Sequence, residues 1–136
     1  MSMNVGQNYS FNSNRTQLIQ VGDKKVKVKV SGGDKKTDLD IKVNDKGQIE
    51  ISNDSTKDIS VLFDTDIDLD IVVAKSNTCM NITTGSGDDK VEVKDGAKIK
   101  NIDTGKGDDI ITVNANATVN EIDAFKYRYH DGACAS

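Results

Sequence analysis

Short apolar stretches recur along the chain every twenty residues, and their alternation predicts β-strands. Val91-Glu92-Val93 and Ile111-Thr112-Val113 place apolar residues at every second position, which is typical of a strand with one buried face. Steps of twenty also align apolar residues over a longer part of the chain. The aligned sets are Leu39, Ile59, Cys79, Ile99 and Val119; Leu62, Ile82, Ile102 and Ile122; Ile51, Ile71, Val91 and Ile111; and Val73, Val93 and Val113.

The turns between these stretches repeat with the same spacing. Thr84-Gly85-Ser86-Gly87-Asp88-Asp89 returns as Thr104-Gly105-Lys106-Gly107-Asp108-Asp109. Two apolar stretches joined by a turn form one rung of a solenoid, which buries its inner face only when equivalent rungs stack. We therefore predict an all-β fold, a right-handed parallel β-solenoid (β-helix) of about four or five rungs with a terminal cap. An antiparallel β-sandwich stays open as the alternative, mainly for residues 16–54.

The ends of the chain differ from its middle, which divides it into four parts. Residues 1–17 are polar and are predicted to be a flexible leader. Residues 18–54 contain alternating strands, with lysines between Val26, Val28 and Val30, and form an N-terminal cap or degenerate rungs. Residues 55–123 are the solenoid repeats. Residues 124–136 are an aromatic C-terminal cap and tail.

Aromatic residues are concentrated where a further Gly-Asp turn would be expected. Phe125, Tyr127 and Tyr129 share one side of an extended segment there. Aromatic side chains can cover the open apolar end of a last rung. The same strip would also suit a protein partner, so these three residues are the predicted partner-binding positions.

Composition excludes several classes of function. Apolar residues make up 35% of the chain but aromatic residues only 4%, which favours a thin aliphatic core. The net charge of −4 arises from interspersed lysines and aspartates, without the basic, aromatic stripe of a nucleic-acid-binding protein. No apolar run approaches membrane-spanning length. The first twenty residues lack the pattern of a Sec signal peptide but resemble the polar leaders of type III secretion substrates, so we expect secretion by a type I or type III route.

The repeated turns carry the candidate chemistry. The stretch from Thr84 to Glu92, and its copy from Thr104 to Thr112, resemble the calcium-binding nonapeptide G-G-x-G-x-D-x-U-x of RTX (repeat-in-toxin) proteins, with threonine at the first glycine. The resemblance implies calcium between stacked turns, held by aspartate carboxylates and glycine-turn carbonyls. The matching residues are Asp89 and Asp109, the turn glycines Gly85, Gly87, Gly105 and Gly107, and Asp88 and Asp108 as auxiliary ligands. The chain departs from the RTX pattern in two respects. Only one side of each rung carries the motif, and the repeat period is twenty residues rather than eighteen.

The chemistry of the turns supports a cation but also allows a turn without one. Calcium takes six to eight oxygen ligands at roughly 2.3–2.6 Å, and aspartates stacked about 4.8 Å apart repel each other unless a cation lies between them. Asp66 and Asp68, which fall beneath the first turn in register, are further candidate ligands. In the alternative, the aspartates cap turn N–H groups and the glycines supply positive φ angles, with no metal.

The two cysteines and one histidine do not form a catalytic set. Cys79 falls in an apolar set, so we predict a buried thiol. The segment around Cys134 resembles the nucleophile segment of papain-like proteases, but His130, four residues away, is poorly placed as its base. A disulfide between the two cysteines requires the tail to fold back.

The sequence therefore predicts a noncatalytic, calcium-binding β-solenoid module of a secreted bacterial protein, acting as a folding clamp and an interaction surface. Two alternatives stay open. One is a metal-free structural, adhesion or effector-targeting module. The other is the N-terminal part of a cysteine-protease effector with Cys134 as nucleophile.

Overall fold

The computed structural model describes residues 7–11, 14–32, 39–124 and 127–130, and all the regular structure in these residues is β. No helix occurs there, so none is long and apolar enough to cross a membrane. The thirteen strands are β1 (Gln7–Phe11), β2 (Arg15–Val21), β3 (Lys24–Gly32), β4 (Leu39–Val43), β5 (Ile49–Asn53), β6 (Ile59–Asp64), β7 (Asp70–Ser76), β8 (Met80–Thr84), β9 (Lys90–Val93), β10 (Lys98–Gly105), β11 (Ile110–Val113), β12 (Thr118–Ala124) and β13 (Tyr127–His130).

The strands form two facing sheets, and the middle of each sheet is parallel. Sheet A has the order β1-β4-β5-β7-β9-β11, and sheet B the order β13-β12-β10-β8-β6-β3-β2. The chain passes from a strand of sheet A to the next strand of sheet B and back, which builds four rungs: β5–β6, β7–β8, β9–β10 and β11–β12. All neighbours within these rung strands pair in parallel. The predicted all-β fold with parallel strands stacked as a β-solenoid is confirmed.

Antiparallel strands cover the first rung. On sheet A, β1 pairs with β4 and β4 with β5; on sheet B, β2 pairs with β3 and β3 with β6, all antiparallel. Residues 18–54 therefore contain a cap followed by the first rung strand. Within the predicted flexible leader at 1–17, residues 7–11 form β1, which is paired along its length, and Phe11 is fully buried.

Side-chain alternation explains the core. In β3, the valines at 26, 28 and 30 are buried while the intervening lysines are exposed, as the sequence predicts. In the rungs, Val73 pairs with Val93 and Val93 with Val113, which confirms that aligned set. The core is one continuous aliphatic stack between the sheets, with Phe11 and Phe63 as its fully buried aromatic residues among those described.

Three of the aligned sets are wrong by one or two residues. Met80, not Cys79, pairs with Ile59 and Ile99, and Val61, not Leu62, pairs with Ile82. Ile49, not Ile51, pairs with Ile71, with an irregularity after residue 51.

The errors arise because the rungs differ in length. Ile59 and Met80 are separated by 21 positions, and Met80 and Ile99 by 19, so a fixed period of twenty fails there. A slip of one residue turns a side chain to the opposite face of a strand. Leu62 accordingly lies outside, 36% exposed, and Val61 lies inside. Leu39 belongs to the antiparallel cap on sheet A rather than to a rung.

The acidic segment from Asp64 to Asp70 is not a single strand. β6 ends at Asp64, β7 begins at Asp70, and the residues between them form the turn from sheet B to sheet A. Its aspartates therefore do not line one face of a strand, because each rung changes sheets at this point. The predicted register of Asp68 beneath Asp88 is confirmed by a hydrogen bond between them.

Cys79 lies in the turn before β8 and forms a disulfide, so the prediction of a buried thiol is wrong. The only other cysteine in the sequence is Cys134, which lies outside the described residues. Residue 79 is half-buried before β8 rather than inward on a strand.

Reduction should therefore destabilise the protein. A disulfide typically adds about 2–4 kcal/mol by restricting the unfolded chain. We expect the thermal midpoint of the wild-type chain to fall when reductant is added, and that of Cys79→Ser to be equally low with and without reductant. Differential scanning calorimetry of both proteins, with and without a phosphine reductant, measures this. A wild-type midpoint that is insensitive to reduction would contradict the prediction.

Candidate metal site in the stacked aspartate turns

The two Gly-Asp turns lie directly above one another and above the turn that precedes β7. The first connects β8 to β9 and the second connects β10 to β11, both on the same side of the solenoid. The structure thus brings together all the predicted metal-site residues, which belong to successive rungs: Gly85, Gly87, Asp88, Asp89, Gly105, Gly107, Asp108 and Asp109. What it shows between them is a pair of hydrogen-bond ladders.

An outer ladder joins the more exposed aspartates of the three turns. The backbone N–H of Asp88 donates to Oδ1 of Asp68 over 2.8 Å, and the N–H of Asp108 donates to Oδ1 of Asp88 over 2.8 Å. Each carboxylate therefore caps the turn of the rung that follows it. This assigns Asp68, a predicted supporting ligand, to an amide acceptor role.

An inner ladder runs in the opposite direction. The N–H of Leu69 donates to Oδ1 of Asp89 over 2.9 Å, and the N–H of Asp89 donates to Oδ1 of Asp109 over 2.8 Å. These carboxylates cap the rung that precedes them. Backbone bonds continue the same stack, from Lys90 N–H to the Leu69 carbonyl and from Ile110 N–H to the Asp89 carbonyl.

Asp89 is an ionisable side chain in a core position. It stands twenty residues after Leu69, which is buried in the preceding turn, and it is itself fully buried. Its second oxygen, Oδ2, accepts a hydrogen bond of 2.8 Å from the Thr84 hydroxyl. Thr84 in turn pairs with Phe63 of β6. Thr84 and Asp89 thus occupy the register positions that Phe63 and Leu69 occupy one rung earlier.

Burial raises the pKa of Asp89 from the ordinary 3.8 to about 6. Removal from water disfavours the charged form, and the negative charges of Asp109 and Asp68 act in the same direction. The hydrogen bonds from Thr84 and from the Leu69 amide oppose this rise because they favour the carboxylate. Desolvation is the largest of these effects.

The last rung lacks the corresponding threonine–aspartate bond. Oδ2 of Asp109 and the hydroxyl oxygen of Thr104 are both buried without a hydrogen-bond partner. Asp109 is half-buried and Thr104 fully buried. No described residue supplies a hydrogen-bond partner for either of these buried polar atoms.

The turn glycines are required by the close approach of the turns. Gly87 has φ +119°, and a Cβ placed on it would lie 2.8 Å from the Ile67 carbonyl oxygen of the turn below. A Cβ on Gly107 would likewise overlap the Gly87 carbonyl oxygen. The glycines therefore serve backbone stacking, whether or not a cation is bound.

The carboxylate of Asp89 is engaged by protein groups rather than open to solvent. Both carboxylate oxygens are occupied by protein donors, and the side chain has no exposed surface. Within residues 7–11, 14–32, 39–124 and 127–130, no group of three or more acidic, histidine or cysteine side chains is arranged to hold a metal ion. Calcium requires six to eight oxygens at short distance, and each oxygen of Asp89 already accepts one hydrogen bond from the protein. Calcium binding by this protein stays a prediction.

Sequence reasoning missed Thr84 and the backbone amide of Leu69 as partners of Asp89. The threonine was visible in both repeats, as the residue that replaces the first glycine of the RTX nonapeptide. A conserved spacing of five residues between threonine and aspartate in the two copies could have indicated a side-chain pair.

The remaining predicted residues lie near the C-terminal end of the solenoid. Tyr127 and Tyr129 are in β13, which pairs antiparallel with β12, opposite Ala124 and Ile122 respectively. Phe125 and Cys134 lie outside the described residues. The partner-binding prediction for the aromatic strip stays a prediction.

The chain matches no known protein family, and no curated protein or solved structure shows significant similarity to it.

Substitution at Gly87 tests the close stacking of the turns. Gly87→Ala introduces both a strained positive φ and overlap with the backbone below, so we expect a loss of at least about 3 kcal/mol in unfolding free energy. The matched control is Gly96→Ala, whose φ is also positive, at +85°, but which has no atom within 4 Å of the added carbon. The control should lose only about 1 kcal/mol. Urea unfolding measures both; equal losses would contradict the stacking argument.

The raised pKa of Asp89 predicts a pH-dependent difference between the wild type and Asp89→Asn. An acid with a raised pKa stabilises the fold most below its unfolded pKa, and this contribution is lost as pH rises through the folded value of about 6. The unfolding free energy of the wild type relative to Asp89→Asn should fall by about 2–3 kcal/mol between about pH 4 and pH 7.

Urea unfolding across this pH range measures the difference. Asp40→Asn, an exposed position on β4, is the control and should track the wild type. If the difference in unfolding free energy between the wild type and Asp89→Asn does not change with pH, the description of Asp89 as a buried carboxylate is wrong.

Proposed function

We propose that this chain is a noncatalytic, structural β-solenoid module of a secreted protein, and that its repeat turns close without a metal ion. The observation that carries the proposal is the carboxylate of Asp89, whose two oxygens accept hydrogen bonds from the Leu69 amide and the Thr84 hydroxyl. A turn already closed by protein donors does not need calcium to fold. The module then acts as a rigid scaffold that displays its outer faces and its ends to partners.

The disulfide at Cys79 supports the secreted part of the proposal. Structural disulfides persist mainly in oxidising compartments outside the cytosol. A short solenoid with a thin aliphatic core also gains from a covalent link, because its core supplies limited stabilisation. Export by a type I or type III route stays a prediction.

A second candidate function is the calcium-dependent clamp that the RTX resemblance implies. The observation that favours it is at the last rung, where Oδ2 of Asp109 and the Thr104 hydroxyl are buried without partners. A cation at the end of the stack would satisfy the carboxylate oxygen. In that case calcium would order the last turn rather than every turn.

Thermal unfolding distinguishes the two candidates. The wild type and Asp109→Asn are unfolded in EDTA, in about 2 mM Ca²⁺ and in about 2 mM Mg²⁺, since a ligand that binds only the folded state raises its midpoint. The proposal predicts midpoints that agree across the three conditions. A calcium-specific rise of several degrees in the wild type that is lost in Asp109→Asn would overturn metal-independent folding and establish the clamp.

A further inference from the structure

The C-terminal end of sheet A is uncovered among the described residues. β11 is the last strand of that sheet, and no described strand pairs with its outer edge. Val113 is 39% exposed, whereas Val93, the equivalent residue one rung earlier, is fully buried. Ile110, on the outward face of the same strand, is 56% exposed. Among the described residues, no strand covers the apolar core on this side.

Sheet B ends differently, because β13 covers β12 as an additional antiparallel strand. Sheet B is therefore one strand longer than sheet A at this end. The end of the solenoid is a step about 4.8 Å deep, one strand spacing. Its lower side is the bare edge of β11 and its upper side is the outer edge of β13.

The step is complementary to a second copy of itself. Connections of three residues between β7 and β8 and of five between β8 and β9 force the facing sheets to run in opposite directions. Because β13 reverses again relative to β12, it runs in the same direction as β11. A two-fold axis parallel to the strands, between the sheets, would place β13 of the second copy beside β11 as the next parallel strand. By the same symmetry, β13 of the first copy lies beside β11 of the second copy.

The free edge of β11 presents specific backbone groups. Ile110 N–H bonds to the Asp89 carbonyl and Asn114 N–H to the Val93 carbonyl, both towards β9. Successive residues of a parallel strand point to opposite sides. The N–H and C=O groups of Ile111 and Val113 therefore face outward, ready to pair with an added strand.

Charge also favours β13 as the occupant of this edge. β13 contains Arg128 and no acidic residue, while β11 follows the acidic pair Asp108 and Asp109. The step thus selects β11-to-β13 pairing by both length and charge.

We propose that the protein forms a symmetric end-to-end dimer in which β13 of each copy pairs with the free edge of β11 of the other. The two sheets then become continuous across the dimer, and the exposed end of the core is covered. This inference goes beyond the proposed function and does not depend on whether the turns bind a metal.

Sedimentation equilibrium over a range of concentrations tests the dimer. A contact of two short strands is expected to give a Kd on the order of 10 µM. Val113→Pro removes an outward N–H without breaking a bond to β9, and should weaken the dimer at least about tenfold. Val113→Ala keeps that N–H and is the matched control, with a change of less than about threefold. Calorimetry of each variant verifies that it is folded.

A cross-linking variant tests the same contact if Val113→Pro does not fold. Thr112→Cys combined with Arg128→Cys places one thiol on each sheet of a single copy, and only the proposed pairing brings them onto adjacent strands, within disulfide reach. A covalent dimer on non-reducing gels supports the proposal. Three results would overturn it: a monomeric wild type up to roughly 200 µM, equal dimerisation of Val113→Pro, or the absence of the cross-link.

Discussion

The solenoid depends on one interaction, the hydrogen bond from a turn amide to an aspartate carboxylate of a neighbouring rung. Where the chain leaves sheet B for sheet A, each turn exposes amides that a strand ladder would otherwise satisfy, and unsatisfied buried amides are strongly destabilising. Asp68 and Asp88 cap the following rung, and Asp89 and Asp109 cap the preceding one. The two ladders run in opposite directions and so tie each turn to both of its neighbours.

These ladders explain why the turns contain both glycine and aspartate. The carboxylates reach the next turn only if the backbones approach closely, and a Cβ on Gly107 would overlap the carbonyl oxygen of Gly87. The close approach in turn buries Asp89, which raises its pKa and makes its second bond, from Thr84, necessary. Stability and charge burial are therefore coupled in the same turn.

Much of this fold was predictable from the sequence, because the repeat period reports a stacked unit. The Val73–Val93–Val113 set and the stacking of Asp68 beneath Asp88 were correct since both lie where the rungs have equal length. The errors at Cys79 and Leu62 arose where rungs gain or lose a residue, which a fixed period cannot show. At the candidate site, the sequence identified the residues but not the groups that their side chains contact. Whether an aspartate points at a cation or at an amide depends on turn geometry that composition does not encode.

The central claim is most directly tested by hydrogen exchange of individual turn amides, measured by NMR in the presence of EDTA. The amides of Leu69 and Asp89 donate to carboxylates of the following rung, and those of Asp88 and Asp108 to carboxylates of the preceding rung. The account predicts that all four exchange slowly, like the amides of the rung strands, without any metal ion. Exchange at the rate of an open loop in EDTA, with protection restored only by calcium, would contradict it.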